Sequence, residues 1–215
     1  KRKKIMDDYL DEKEQIEEIK SWLKENWLAL VAGVIVGFGG LFSWNWYQDS
    51  VYESNSQALA IFDQAQQELT LGNFDSALAL LQNLRSDYNS SPYTDFLGLL
   101  YSTYLLSNGN TADAAVEIEY VLNNTTDEYL RLIATWRLAR VNVEMTNYDR
   151  ALELVQNKNH MLSANFTELE GDVYFFRGEF DLASNTYMSI LSDPNINSID
   201  LNTLMLKINN LAAEF

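Results

Sequence analysis

Cysteine is absent from the 215-residue chain, histidine occurs once and proline twice. No disulfide and no thiolate metal site can therefore form, and the missing thiols permit an oxidising compartment without requiring one. The lone histidine, His160, lies in QNKNHML, a stretch with no ligand or nucleophile spacing, and it reads as a loop residue without a catalytic role. Positive charge is scarce too: 15 Lys and Arg stand against 31 Asp and Glu, a net charge of −16. Such a surface excludes a grip on a phosphate backbone, and with it nucleic acid as a partner. Sustained alternation of period two is missing, so almost no β-structure is expected. There is no Walker loop and no GxSxG elbow. Paired carboxylates such as Asp7–Asp8 and Glu17–Glu18 sit in a charged helical stretch and read as a solvated face. The chain is expected to be non-enzymatic, with no catalytic residue, cofactor or metal.

What is present begins with an apolar run. Asn26 to Gln48 is 23 residues without a charge, and the segment Trp27 to Tyr47 is long enough to cross a hydrocarbon core, roughly 31 Å at 1.5 Å per residue. Trp22, Trp27, Trp44, Trp46 and Tyr47 bracket it as interfacial anchors do. The exit side, SWNWY, is too bulky for a signal-peptide cleavage site, so an uncleaved membrane helix is expected. Seven Lys and Arg precede the span and the next one after it is Arg85, which places the N-terminus in the cytoplasm and the remainder across the membrane. Beyond the span, residues 49–215 carry 8 basic and 23 acidic side chains.

Four glycines crowd into GVIVGFGG at residues 33–40. Each costs a helix about 1 kcal/mol relative to alanine, so their concentration calls for a reason. Ala29, Gly33, Gly37, Gly40 and Ser43 fall on one helical face and include a GxxxG pair. Such a ridge lets the backbone of another membrane helix approach closely, although glycine is common in membrane helices anyway. Before the span, Ile16, Ile19, Trp22 and Leu23 form an apolar stripe among charges. They read as an interfacial amphipathic helix resting on the lipid bilayer or as a docking stripe for a cytoplasmic partner, with Lys1 to Lys4 within reach of headgroups.

After the span the chain repeats. LGNFDSALALL, NGNTADAAVEI, TNYDRALELV and RGEFDLASNTY align on Ala77, Ala114, Ala151 and Ala183, and the spacing resembles the tetratricopeptide repeat, a helix–turn–helix unit of about 34 residues. Gly72, Gly109 and Gly178 stand where a first helix must end and turn, with Asn147 taken as the counterpart in the third unit. Phe74, Tyr148 and Phe180 are expected to plug the helix junctions, and the alanines to let the helices approach. The predicted order is a helix from about Ser54 to Leu71, seven more in pairs up to about Ser192, and a closing helix over Leu201–Ala213 with Leu204, Ile208 and Leu211 on one face. The fold class is thus all-α: one N-terminal transmembrane helix, then a repeat-like α-solenoid of about four helix pairs plus a C-terminal capping helix. The domains are a cytoplasmic tail (1–26), the membrane helix (27–47) and a periplasmic solenoid (48–215).

Solenoids bind through the wall lined by the first helices of each pair. Counting from the alanines, that wall is expected to present Phe62, Gln66, Leu99, Thr103, Trp136, Arg140, Asp172 and Phe175. Arg140 and Asp172 are singled out because packing does not explain a charge on such a wall.

The order of parts, with IEEIKSWLKEN running into the glycine-rich span and WRLARVNV, GDVYFFRGEFDLA and KINNL beyond it, resembles the YfgM-type ancillary subunits of the Sec translocon. That resemblance implies an inner-membrane accessory protein beside SecYEG. It implies cooperation with a PpiD-type membrane-anchored periplasmic chaperone on emerging secretory or membrane polypeptides, and contact of the tail with a cytoplasmic response regulator. Two other readings stay open: an anchored scaffold for cytochrome maturation or cell-wall assembly, and a stress-signalling protein acting through its tail.

Overall fold

The computed structural model describes residues 2–212, with side chains from residue 15 to residue 211. Among the described residues the secondary structure is helical throughout: α1 (Arg2–Leu71), α2 (Phe74–Asp87), α3 (Pro92–Ser107), α4 (Thr111–Asn124), α5 (Glu128–Glu144), α6 (Tyr148–Leu154), α7 (Ser163–Phe176), α8 (Phe180–Ile190), a 3-10 turn over Ile196–Ser198, and α9 (Leu201–Ala212). The side chains of Lys1 to Lys4 and the end of the expected closing helix at Ala213 lie outside the described residues. Two compact units are present, residues 1–53 and 54–215.

In the first unit the apolar segment is helical and exposed, with Trp44 and Tyr47 in ring contact at 6.3 Å. A candidate span of mean hydropathy 1.9 lies within the helix. Residues 48–53, QDSVYE, contain no proline or glycine and are helical, within α1.

The second unit is a stack of four antiparallel helix pairs closed by α9. Its turns are four copies of one device. Gly72, Gly109 and Gly178 have φ of 79°, 78° and 75°. The residue after each donates its backbone N–H five residues back, Asn73 to Glu68 O (2.8 Å), Asn110 to Leu105 O (2.9 Å) and Glu179 to Tyr174 O (2.9 Å). This is the Schellman closure, which satisfies helix-end carbonyls and needs a left-handed residue. In the third unit the left-handed residue is Thr146, φ 60°, while Asn147 makes the five-back bond to Asn142 O. The expected correspondence of Asn147 with the glycines is thereby corrected by one position. Asn147 aligns with Asn73, Asn110 and Glu179: the carbonyls of Asn73, Asn110, Asn147 and Glu179 accept from the backbone N–H of Ala77, Ala114, Ala151 and Ala183 in turn.

Those four alanines are fully buried. Twelve positions before them lies a second small row, Ala65, Ser102, Ala139 and Gly171, also buried. Four positions after them lie the large buried residues Leu81, Ile118, Val155 and Tyr187. Small against small brings the helices together, and the large row fills the space between pairs. Phe74, expected to plug its junction, is exposed there and packs against Tyr104, with centroids 6.1 Å apart, and Phe180 meets Phe175 at 5.7 Å. The third pair is abbreviated: α6 has 7 residues against 14 in α2 and α4. The loop that replaces its end is braced by His160, whose Nε2 lies 2.7 Å from Asn157 O and whose Nδ1 accepts from the Leu162 N–H. At the far end Leu204 and Leu211 are buried and Ile208 packs on the same cluster, which also contains Tyr187 and Ile190. The closing helix covers the core that the last pair leaves open.

Candidate functional site

One wall of the stack is grooved by three cavities that share residues. The first, of about 310 Å³, is lined by Thr103, Leu106, Trp136, Arg137, Arg140 and Glu144 among others. The second, of about 440 Å³, shares Arg140 and Glu144 and continues to Tyr148, Leu169, Asp172 and Phe176. The third, of about 260 Å³, shares Asp172 and Phe176 and ends on Phe175, Tyr187, Lys207 and Asn210. The groove runs along α3, α5 and α7 to α9.

Of the eight wall residues expected from the sequence, five line this groove: Thr103, Trp136, Arg140, Asp172 and Phe175. Gln66 lies at a separate depression with Asp63 and Thr70. Phe62 is partly buried and packs against Tyr93 at 5.8 Å. Leu99 is 5 % exposed and belongs to the core with Ile118, Val121, Leu130 and Leu138. It is not a wall residue, because the incoming α5 covers its position.

The two charged residues prove different from each other. Asp172 accepts from Lys207 Nζ at 2.6 Å and from the Tyr187 hydroxyl at 2.6 Å, while the same ammonium reaches Glu168 Oε1 at 2.8 Å. Its charge is explained by packing after all: it latches α9 onto α7. Burial pulls the Lys207 pKa down, and the two carboxylates outweigh it and hold it above the usual lysine value. Burial, then the hydrogen bond to Asp172, pushes the Tyr187 phenol up. Arg140 is exposed, lies over the Trp136 ring at 4.7 Å and has no carboxylate partner among the described residues.

Sequence reasoning missed Arg137, one turn before Arg140. It is half-buried and donates to the Leu99 carbonyl (3.0 Å) and to Thr103 Oγ1 (3.3 Å). Burial, and then the like charge of Arg140, lowers its pKa. Glu144 and Phe176 were also missed, each four positions past an expected wall residue, Arg140 and Asp172; the three-to-four-residue rhythm of α5 and α7 carries them onto the same wall. On the first unit, Gly33, Gly37 and Gly40 are open, with nothing within 4 Å of where a Cβ would stand, and Ala29 and Ser43 are exposed. Ile16, Ile19, Trp22 and Leu23 are exposed by 48–59 %.

Helix pairs with a repeated closing turn, a capped end and a groove along the first helices define a helical-repeat protein. A family model described as a tetratricopeptide repeat-like domain matches residues 20–213, and the chain belongs to that family. It is 27 % identical over 96 % of its length to the Ancillary SecYEG translocon subunit of Escherichia coli (strain K12), all of which is covered. A protein of the same name in Haemophilus influenzae (strain ATCC 51907 / DSM 11121 / KW20 / Rd) is 24 % identical, with 94 % of this chain and 98 % of that one aligned. Among solved structures, the crystal structure of MamA protein matches with a TM-score of 0.54 at 20 % identity, covering 74 % of this chain and 81 % of that one, a likeness of fold.

Proposed function

We propose that this chain is a non-enzymatic accessory subunit of the Sec translocon. Residues 27–47 anchor it in the bacterial inner membrane, residues 1–26 lie in the cytoplasm, and residues 48–215 stand in the periplasm. The observation that carries the reading is the end-to-end alignment with relatives named for this role, over anchor and repeats together. In this reading the open glycine face packs on a translocon helix, and the groove receives a PpiD-type chaperone or segments of emerging polypeptides. Tethering supplies a high local concentration, so each contact is weak. The stripe Ile16, Ile19, Trp22 and Leu23 is the surface left for the interface or a cytoplasmic partner.

The test is co-purification from detergent-solubilised membranes. The native chain brings down SecYEG subunits, and Gly33→Leu with Gly37→Leu reduces their recovery several-fold while leaving the repeat unit folded. Failure of the native chain to recover any translocon subunit refutes the reading.

A further inference from the structure

The closing helix α9 turns one face to the core and leaves the opposite face unused. Leu204 and Leu211 are buried and Ile208 packs beside them, while Lys207 reaches back to Glu168 and Asp172 on α7. At 3.6 residues per turn the far side of the helix carries Asn202, Met205, Leu206 and Asn209, at steps of three, one and three. All four are exposed, Met205 by 46 % and Leu206 by 62 %. Neither asparagine side-chain amide has a hydrogen-bond partner among the described residues. The last helix of a stack ordinarily shows a polar face to solvent. Here two large apolar side chains stand at its centre.

Charge narrows what can cover this face. Residues 49–215 hold 23 acidic side chains against 8 basic ones, so two copies repel each other over most of their surface. The second helices α4 and α6 show Asp113, Glu119, Asp149 and Glu153 to solvent. On α9 the one charged side chain among the described residues is Lys207, turned away from this face and held by two carboxylates. The neighbouring α8 carries Asp181 alone, in its first turn. A basic partner drawn to the acidic unit finds no carboxylate on this face, whereas a second copy meets it without like-charge repulsion.

We propose that this face is a contact between two copies of the chain, with α9 packed antiparallel on α9 of the second copy about a two-fold axis between Met205 and Leu206. The pattern is its own complement, as an isologous contact requires. An antiparallel pair centred there sets Met205 against Leu206 at the axis and Asn202 opposite Asn209 on either side. A side-chain amide both donates and accepts, so each asparagine pair closes a hydrogen bond, and a polar pair in an apolar seam fixes the register. The contact spans two turns and covers about half of the ~800 Å² per partner that a standard interface buries. It is therefore weak in free solution and populated where copies share one micelle or membrane. The contact goes beyond the translocon reading and does not depend on it.

The chain has no cysteine, so introduced cysteines report proximity without background. Full-length chains in detergent carry Asn202→Cys, Met205→Cys, Leu206→Cys, Asn209→Cys or the control Thr203→Cys, exposed on another side of α9, and are oxidised with copper phenanthroline. A disulfide needs Cα atoms within about 7 Å, so Met205→Cys and Leu206→Cys should give about tenfold more dimer than Thr203→Cys. Asn202→Cys should not link to itself, because the antiparallel pair separates its two copies by about 10 Å along the helix. Asn202→Cys mixed with Asn209→Cys, distinguished by tags of different length, should link. Adding Leu206→Glu to the Met205→Cys chain sets like charges at the axis and should return the yield to that of the control, with the helical signal and melting temperature unchanged. Equal yields at all positions, no dimer at Met205→Cys and Leu206→Cys, self-linking of Asn202→Cys without the mixed product, or a yield that survives Leu206→Glu would each overturn the contact. SecYEG recovery does not enter this readout, so the contact and the translocon reading stand or fall separately.

Discussion

Gly171 faces the largest buried side chain in the repeat unit, and replacing it by alanine should cost more than any other single methyl group in the fold. A Cβ at this position would stand 2.4 Å from Tyr187 Cε1, 2.6 Å from Cδ1 and 3.0 Å from Cζ, against an ordinary carbon–carbon contact of about 3.5–4.0 Å. The ring cannot yield cheaply. Tyr187 is 2 % exposed and its hydroxyl is tied to Asp172, which Lys207 holds in turn. Overpacking costs about 2 kcal/mol and loss of a hydrogen bond to a charged acceptor about 2 more, from which about 1 kcal/mol of helix propensity is recovered. The net is about 3 kcal/mol, a fall of about 1.5 M in the urea midpoint for a slope of about 2 kcal/mol/M. Alanine itself suits the position, since Ala65 and Ala139 occupy it in two other units, where Leu81 and Val155 stand sixteen residues on in place of a tyrosine. Tyr187→Leu should therefore rescue Gly171→Ala, leaving a positive coupling in the double-mutant cycle. A midpoint shift below about 0.25 M, or a double variant no better than the sum of its parts, would refute the reasoning.

Three further outcomes follow from the same geometry. Thr146→Gly should stabilise the fold by about 0.5–1 kcal/mol, because a left-handed threonine costs about 1–2 kcal/mol and the glycine returns only part of that through its unfolded-chain entropy; a lowered melting temperature would contradict it. Arg85→Met should destabilise by about 3 kcal/mol by stranding Glu117, whose side chain is 11 % exposed, and Arg85→Met with Glu117→Leu should recover most of the loss; equal losses in the single and double variants would argue against the pair. Lys207 and Tyr187 both have pKa values raised in the fold, so the stability they add is whole below the ordinary values of 10.5 and 10.0 and is lost as pH rises above them; urea midpoints should fall more steeply into that alkaline range for the native chain than for Lys207→Met with Tyr187→Phe, and parallel slopes would contradict the linkage.

The repeat was legible because its turn chemistry recurs on the surface of the sequence. A glycine two positions before an aromatic, and an alanine three after that aromatic, can be counted without coordinates, and the helices fell where that count placed them. The third unit was misaligned by one because threonine is so poor in a left-handed turn that asparagine looked the better candidate; the hydrogen bonds put Thr146 there regardless. The small row at Ala65, Ser102, Ala139 and Gly171 could have been found from its constant offset of twelve from the turn alanines. Leu99 could not have been excluded from the wall without knowing that α5 packs over it, since helical periodicity fixes an angle about one axis and says nothing of the next helix's reach.

Charge on the wall shows the same limit in a sharper form. Asp172 and Arg140 look alike in the sequence, each a single charge at an equivalent position of a first helix. The difference lies 35 residues away, in Lys207 of the closing helix, which meets Asp172 and Glu168 and leaves nothing for Arg140. A charge therefore marks a binding surface only after the internal partners have been subtracted. Here the subtraction is informative because acids outnumber bases in the unit by 23 to 8. Among the described residues Arg140 makes no ion pair in such surroundings: it lies over Trp136, while the α3 carbonyl of Leu99 binds Arg137. The placement of Arg137 and Arg140 along one cavity is consequently a product of helix geometry and not of composition.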